Sequence, residues 1–516
     1  MASRARWVLA TAASSLALTA CLPNRFVTGW VPYWGPSSGK AVIDNDDSAS
    51  LMGEVSMMWY GTDDDATVDL MSSATNLANV VASTRAQGLA VIPTVFDTQP
   101  AGIMRGILHD PFQRALHEQY LVDLVTTKGY DGIDIDYEVF AFGDGRSKWD
   151  LIRPDWILFV QELGSLLHQR GKLLSVTVPP VWVNGGVTQG YTVYAQEEIA
   201  PYVDRLRLMV YDWSTSNPGP IAPISWVNQV IAWSDGRVPD SRLQLGVPAY
   251  GRHWATRKNP TETCPAGALW RDSITMKETA GLAAAHSVTP TRHSSGELTF
   301  GWTEQVTGPV EASPPTTTTT SPPTTIGSVD DGISPNGLDP PIRVAPPPAI
   351  VTCTVQHTVY VPDGVSVRQR ADAALAAGWS GIAIWAYGYE TADVYQQLAG
   401  VAPQRPGGDP TGVLDTPQVL GNGLRVTGMA VDPEFDLPVG VSLTVAPTGG
   451  AATQWRVVTA RAERAGMAAG LGPFHGFDEA FTLTPGSYDV CATVILWGGA
   501  TGPSLGCQTA VVSGPL

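Results

Sequence analysis

Between Arg25 and about Gly400, short apolar runs alternate with longer stretches whose apolar residues recur at helical spacing. The apolar runs read as strands over 26–33, 55–60, 90–96, 132–138, 173–178, 206–211, 244–248 and 382–385. The stretches between them read as helices. One follows Pro154-Asp155, runs over 156–168 and stops at Gly171; another covers 367–377 and stops at Gly378. Eight strands alternating with helices predict the α/β class, as a (β/α)8 TIM barrel over residues 25–402. An open doubly wound sheet competes, but it calls for a Gly-rich phosphate turn after the first strand. Residues 35–40 (G-P-S-S-G-K) have neither G-x-G-x-x-G nor Walker spacing.

The fourth strand breaks the apolar rule. It lies in Y-D-G-I-D-I-D-Y-E-V-F, residues 130–140, where acids and apolar residues alternate with the period of a strand. Asp134, Asp136 and Glu138 share one face, and Ile133, Ile135 and Tyr137 take the other. Like charges that close raise one another's pKa, so three carboxylates in a row cost stability that a purely structural strand has no reason to give up. Barrel sites form at the C-terminal ends of strands, which places Glu138 at the mouth. Asp134 lies roughly 13 Å deeper with Asp136 between them. Asp131, off that face, reads as structural.

Two further regions depart from the barrel pattern. An insertion at about 255–378 separates strands seven and eight and contains strand-like 298–302 and 355–360. Its Pro/Thr-rich loop, 311–348, cannot bury a core and reads as exposed and open to glycosylation. A linker at 403–411 leads to 412–516, where short β-rich runs (424–431, 441–445, 455–458, 488–496 and 509–512) predict an antiparallel β-sandwich. Trp455, Trp497 and Phe474 read there as core aromatics in preference to sugar platforms.

Composition narrows the function classes. A hydrophobic content of 44% with 15% charge is that of a globular chain. A net charge of −17 argues against nucleic acid or an anionic membrane surface as partner. Eight histidines without an H-E-x-x-H spacing predict no metal and no cofactor. Residues 1–20 pair Arg4 and Arg6 with a short apolar run, as export signals do. They end in Leu18-Thr19-Ala20-Cys21, which resembles a lipobox with Cys21 as the lipidated mature N-terminus; ordinary cleavage beside Cys21 is the alternative. The expected location is the outer face of the membrane, as a lipoprotein, or the medium, and the expected state is a monomer. Cys21 is the odd one of five cysteines. The other four allow three connectivities, of which the domain reading favours Cys264–Cys353 and Cys491–Cys507. Closing the 89-position loop of the first is worth about 4–5 kcal/mol.

Asp131-Gly-Ile-Asp134-Ile-Asp136-Tyr-Glu138 resembles the D-G-x-D-x-D-x-E signature of glycoside hydrolase family 18 at every defining position. Met209-Val-Tyr211-Asp212 is similar to that family's M-x-Y-D, and Gly246-Val-Pro-Ala-Tyr250-Gly-Arg252 to its G-x-P-x-Y-G-R. Gly381-Ile-Ala-Ile-Trp385 is similar to its last barrel strand. The long insertion resembles the α+β unit that walls the groove in some members, and the last hundred residues a sandwich module of secreted actinobacterial hydrolases.

The resemblance implies substrate-assisted retention in place of the usual two-carboxylate arrangement. Glu138 would protonate the glycosidic oxygen, and the substrate's 2-acetamido oxygen would attack the anomeric carbon to form an oxazolinium. Asp136 would orient the acetamido N–H, Asp134 would share a proton with Asp136, and Tyr211 would hold the acetamido carbonyl. Asp212 would touch the sugar or position Glu138, and Trp385 would stack beneath it. Tyr33, Tyr250 and Arg252 complete the expected substrate-binding set. The implied partner is an N-acetylated polysaccharide or oligosaccharide, chitin or peptidoglycan. A sugar-binding protein without turnover and an endoglycosidase of N-linked glycans are the alternatives. Two positions depart from the family: strand three, Val91–Asp97, lacks S-x-G-G, and Glu390 stands where an aspartate is common. Residues 30–34 (W-V-P-Y-W) and 217–223 (N-P-G-P-I-A-P) instead resemble the bacterial group that acts on spore and cell-wall glycans.

Overall fold

The computed structural model describes residues 21–513 apart from 24, 311–347, 403, 407, 435 and 468–470. The expected export signal, and the Pro/Thr-rich loop up to residue 347, lie outside the described residues. Eight parallel strands close into a barrel: β1 (Val27–Pro32), β2 (Glu54–Thr62), β3 (Ala90–Val91 and Thr94–Phe96), β4 (Gly132–Asp136), β5 (Leu173–Val178), β6 (Arg205–Leu208), β7 (Leu243–Pro248) and β8 (Gly381–Trp385). Pairing of β1 with both β2 and β8 closes the circle. A closed barrel leaves no open sheet edge, and with helices around its outside most of its strands read as near-continuous apolar runs, β4 and β6 excepted.

Several strands stop earlier than predicted, and the early stops form the site. β4 ends at Asp136, and Glu138 begins a short helix, Val139–Phe142. β6 ends at Leu208, leaving Tyr211 and Asp212 in the loop, with Asp212 in the left-handed region at φ 61°. β3 is interrupted at Ile92-Pro93, because proline has no N–H to give the ladder. The helix expected from Trp156 starts instead at Trp149 and carries Pro154 within it. That proline forgoes one N–H near the start of the helix, where the buried face from Trp149 to Leu167 holds the segment in place.

The insertion is a five-stranded antiparallel sheet of Tyr250–Arg257, Trp270–Thr275, Thr291–Arg292, Leu298–Pro309 and Ile350–Val361. It begins directly after β7, earlier than the expected residue 255. Its last strand ends at Val361, and helix Gly364–Ala376, capped by Asp363, leads back to β8. The two longest strands have 12 residues each, well beyond the predicted segments. The Cys264–Cys353 disulfide fastens the 258–268 loop to this sheet, and Cys491–Cys507 joins neighbouring strands of the C-terminal sandwich.

That sandwich packs a sheet containing Gly423–Val431 and Phe474–Thr482 on one containing Gly440–Pro447, Gly486–Ile495 and Thr501–Val512. It seats against the floor of the barrel. Leu437 joins a buried cluster with Ala90, Ile92 and Leu173, against which Trp497 packs. Arg242 lies over the Phe474 ring at 4.1 Å. Trp497 and Phe474 therefore serve the contact with the barrel as well as the sandwich, while Trp455, expected in the core, is 60% exposed on an outward strand position. Within the expected linker, Gln404–Pro406 pairs as a strand with Cys21–Pro23. Among the described residues, no helix is long and apolar enough to cross a membrane.

Candidate active site

The acids of β4 point into the barrel axis, and their surroundings grade from matched to unmatched. Asp134, fully buried, accepts from Trp30 Nε1 at 3.1 Å, Thr94 Oγ1 at 2.8 Å and Thr177 Oγ1 at 3.0 Å. Arg207 approaches the same carboxylate at 3.3 Å and reaches Glu54 at 2.9 Å. Burial works against the guanidinium's charge, but Asp134 and Glu54 outweigh it and keep Arg207 charged. Asp134 is thus satisfied by a cation and by donors from β1, β3 and β5. Its hydrogen-bond partners among the described residues are these donors, and Asp136 is not one of them.

Asp136 has no such match. It is buried, and its Oδ1 has no hydrogen-bond partner. Burial, and then the charges of Glu138, Asp134 and Asp97, push its carboxyl well above the ordinary range. Glu138 is pushed up to about 7, first by burial and then by Asp97 and Asp212. Burial is the larger cause, where the sequence suggested neighbouring carboxylates alone.

Asp97, at the end of β3, is the residue that sequence reasoning passed over. Its carboxylate accepts the backbone N–H of Glu138 at 2.7 Å, Val139 at 2.9 Å and Phe140 at 2.7 Å. It thereby fixes the turn from which Glu138 projects. Arg207 was also missed. Each carried a signal: an acid at the C-terminal end of a barrel strand, and an arginine inside an apolar one.

The mouth is closed on one side by the loops after β6 and β7. Arg252 donates to Asp212 at 2.7 and 3.1 Å, so it holds that carboxylate instead of standing free. Tyr250 packs edge-on to Tyr211 with ring centroids 6.3 Å apart. Burial raises both phenols well above their ordinary range, which leaves them as hydroxyl donors at neutral pH. Next to them, at the end of β8, Trp385 packs against the same cluster and sits between Trp30 at 5.9 Å and Trp34 at 6.2 Å. Tyr33 stacks on Phe96 at 6.4 Å, toward the rim. Asp131 lies at the other end of β4, paired with Arg85, and belongs to the barrel floor. A cavity of about 480 Å³ opens beside Glu138, lined by Tyr211, Asp212, Trp182, Trp213 and Tyr191 among others.

Comparison with known proteins gives this geometry a family. Residues 105–319 match the model of glycosyl hydrolases family 18. The match spans β4 to β7, the part of the barrel that carries Asp134, Asp136, Glu138, Tyr211 and Asp212. The chain is 30% identical over 166 residues to YdhD of Bacillus subtilis, designated a sporulation-specific glycosylase, covering 31% of this chain and 36% of that protein. It is 27% identical over 154 residues to chitotriosidase-1 of Mus musculus, covering 25% and 32%. The chain thus spans about a third of the length of these relatives. Among solved structures, the chitinase of Chromobacterium violaceum superposes with a TM-score of 0.53 at 20% identity, over 73% of this chain and 99% of that one. The spore cortex-lytic enzyme SleL of Bacillus megaterium superposes with a TM-score of 0.53 at 14% identity, over 73% of each. At those identities the superpositions establish the fold. The barrel brings Glu138, Tyr211 and Asp212 to one cavity at the mouth, with Asp136 and Asp134 buried beneath them on β4 and Trp385 at the end of β8.

Proposed function

We propose that the protein is a retaining, substrate-assisted glycoside hydrolase of β-1,4-linked glycans containing N-acetylglucosamine, peptidoglycan or chitin. The observation that carries the reading is the unmatched pair of Asp136 and Glu138 above a cation-matched Asp134. Burial and mutual repulsion keep a proton on the Asp136–Glu138 pair near neutral pH, and the two titrate as a unit. With the proton on Glu138, that residue is the acid for the glycosidic oxygen, and its pKa of about 7 suits the task. Asp136 is then the anion below the sugar. Its free Oδ1 accepts the acetamido N–H, and its charge offsets the positive charge of the forming oxazolinium. The Tyr211 hydroxyl donates to the acetamido carbonyl and turns that oxygen toward the anomeric carbon. Water opens the oxazolinium, with Glu138 as the base, and returns the proton.

A thiazoline analogue of the oxazolinium is the test. Competitive inhibition of cleavage of N-acetylglucosamine oligomers is expected, and turnover unaffected by a saturating analogue would exclude substrate assistance. We further propose that the chain is exported and anchored through Cys21, so Cys21→Ala releases it from the membrane fraction. Unchanged fractionation would refute the anchor.

A further inference from the structure

Beyond the cavity beside Glu138 lies a second one, of about 340 Å³, and the two share Trp213 and Trp226 as a wall. Trp213 follows Asp212 directly and is 45% exposed, and its ring packs on Trp226 at 5.0 Å and on Trp182 at 5.9 Å. The rest of this chamber is polar and neutral. Asn184 of the 181–190 hairpin, Gln229 of helix Ile224–Ser234, and His293 and Ser294 of the insertion line it, and no carboxylate does.

Hydrogen-bond donors prevail on this lining. The Ser295 N–H donates to His293 Nδ1 at 3.1 Å, which leaves the ring proton on Nε2. The Asn184 and Gln229 amides donate too, and the buried Trp226 indole N–H has no acceptor among the described residues. The wall is also held in place. Glu297 accepts the backbone N–H of Ile221 at 2.8 Å and of Ala222 at 2.6 Å, and it pairs with Arg370 at 3.1 Å, with both side chains buried. The Trp213 N–H donates to the Ile221 carbonyl at 2.8 Å, and the Ile224 N–H to that of Ser295 at 3.0 Å. A buried ion pair is costly to desolvate, and this one fixes the backbone of the loop that carries Pro220 and Pro223 into the chamber.

Substrate assistance needs an acetamide only on the sugar that is cleaved, so its neighbour at the Glu138 side is free to carry a substituent. We infer that the chamber is the subsite for a lactyl ether on that neighbouring N-acetylhexosamine, bound through the carbonyl oxygen of its carboxylate or of the peptide amide formed on it. The inference rests on the glycan reading above and selects peptidoglycan over chitin within it. Such a carbonyl takes donors from His293, Asn184 and Gln229, which an unsubstituted sugar leaves to water.

Three tetrasaccharides test it: a plain N-acetylglucosamine oligomer, one in which every second sugar carries a 3-O-lactyl group with its carboxyl free, and the same oligomer with that carboxyl converted to an amide. The unmodified chain should cleave a substituted oligomer with a kcat/KM about tenfold above the plain one, the equivalent of one to two net hydrogen bonds. Asn184→Leu/Gln229→Leu, at two exposed positions, should abolish that preference with kcat/KM on the plain oligomer unchanged. Gln229→Glu keeps the size of the side chain and serves if the double variant does not fold. A loss in Gln229→Glu confined to the free acid assigns the carboxylate as the ligand, and a loss on acid and amide together assigns the carbonyl they share. An unmodified chain without preference for either substituted oligomer, a preference that survives the substitutions, or equal losses on all three substrates would overturn the chamber and leave the hydrolase reading standing. Failure of the unmodified chain to cleave any of the three would overturn both.

Discussion

At the floor of the barrel, Asp204 at the start of β6 is met by His168 at 2.8 Å, the Leu174 N–H at 2.9 Å and Arg461 of the sandwich at 3.0 Å. At the mouth, Asp136 and Glu138 at the end of β4 meet other carboxylates. Burial alone would push all three upward. At Asp204, His168 and Arg461 outweigh it and hold the carboxyl well below the ordinary range. At Asp136 and Glu138 nothing outweighs it, and both rise. The same contrast spans β4 itself, whose Asp131 binds Arg85, the Val91 N–H and the Gly498 N–H of the sandwich. One end of the barrel uses buried carboxylates to fasten two domains together. The other leaves them short of partners, which costs stability and keeps a proton available.

The largest effect expected of breaking this contrast is at Glu138. Glu138→Gln should lower kcat by about 10²–10⁴-fold while binding of the oligomer persists. The same change should stabilise the fold. A carboxyl whose folded pKa is raised to about 7 destabilises the folded state progressively as pH rises from the ordinary glutamate range, and fully above 7. Glu138 keeps some solvent contact, so removing that burden is worth about 2 kcal/mol, read as a higher Tm at pH 8 and little change at pH 4.

The mirror experiment at the floor should move stability and spare catalysis. Asp204→Asn takes the carboxylate from Arg461, which keeps only the Pro201 and Val203 carbonyls, and should cost about 3–5 kcal/mol in thermal unfolding. Its depressed carboxyl contributes stability that is present above the ordinary aspartate pKa and lost only in strong acid, so the deficit should be full at pH 5 and vanish only in strong acid. A shifted pH–rate profile in this variant would show that the two ends are coupled.

Asp97→Asn lies between the extremes. Asparagine has one acceptor oxygen where the carboxylate serves three N–H groups, so Glu138 should lose its fixed position and kcat should fall about 10–100-fold. Asp97 is also the second cause of Glu138's raised pKa, so the basic limb should move to lower pH. Asp212→Asn removes the third cause and one partner of Arg252; a loss of about tenfold and a smaller shift in the same direction are expected.

What the sequence disclosed follows from range. The row Asp134, Asp136, Glu138 is legible because period-2 alternation is local. Tyr211, Asp212, Tyr250, Arg252 and Trp385 follow from motifs at strand ends. Arg207 and Asp97 act on the row from β6 and from the end of β3, and only the pairing of distant strands brings them there. Strand 474–482 went unread because His475, Asp478 and Glu479 interrupt its apolar pattern, although it pairs with Gly423–Val431. The long strands of the insertion were read only in part, over 298–302 and 355–360, for a related reason: one of their faces is Thr and Gln, so only the other carries an apolar signal. The docking of the sandwich rests on contacts such as Gly498 to Asp131, 367 positions apart, which no local pattern announces.

The most direct measurement is the pH dependence of kcat/KM for an N-acetylglucosamine oligomer. With a buried Glu138 as the acid, the rate should fall on the basic side with a midpoint near 7, and the residual rate of Glu138→Gln should show no such limb. A rate that stays level to pH 9, or a basic limb that survives in Glu138→Gln, would contradict the assignment of the proton to the unmatched end of β4.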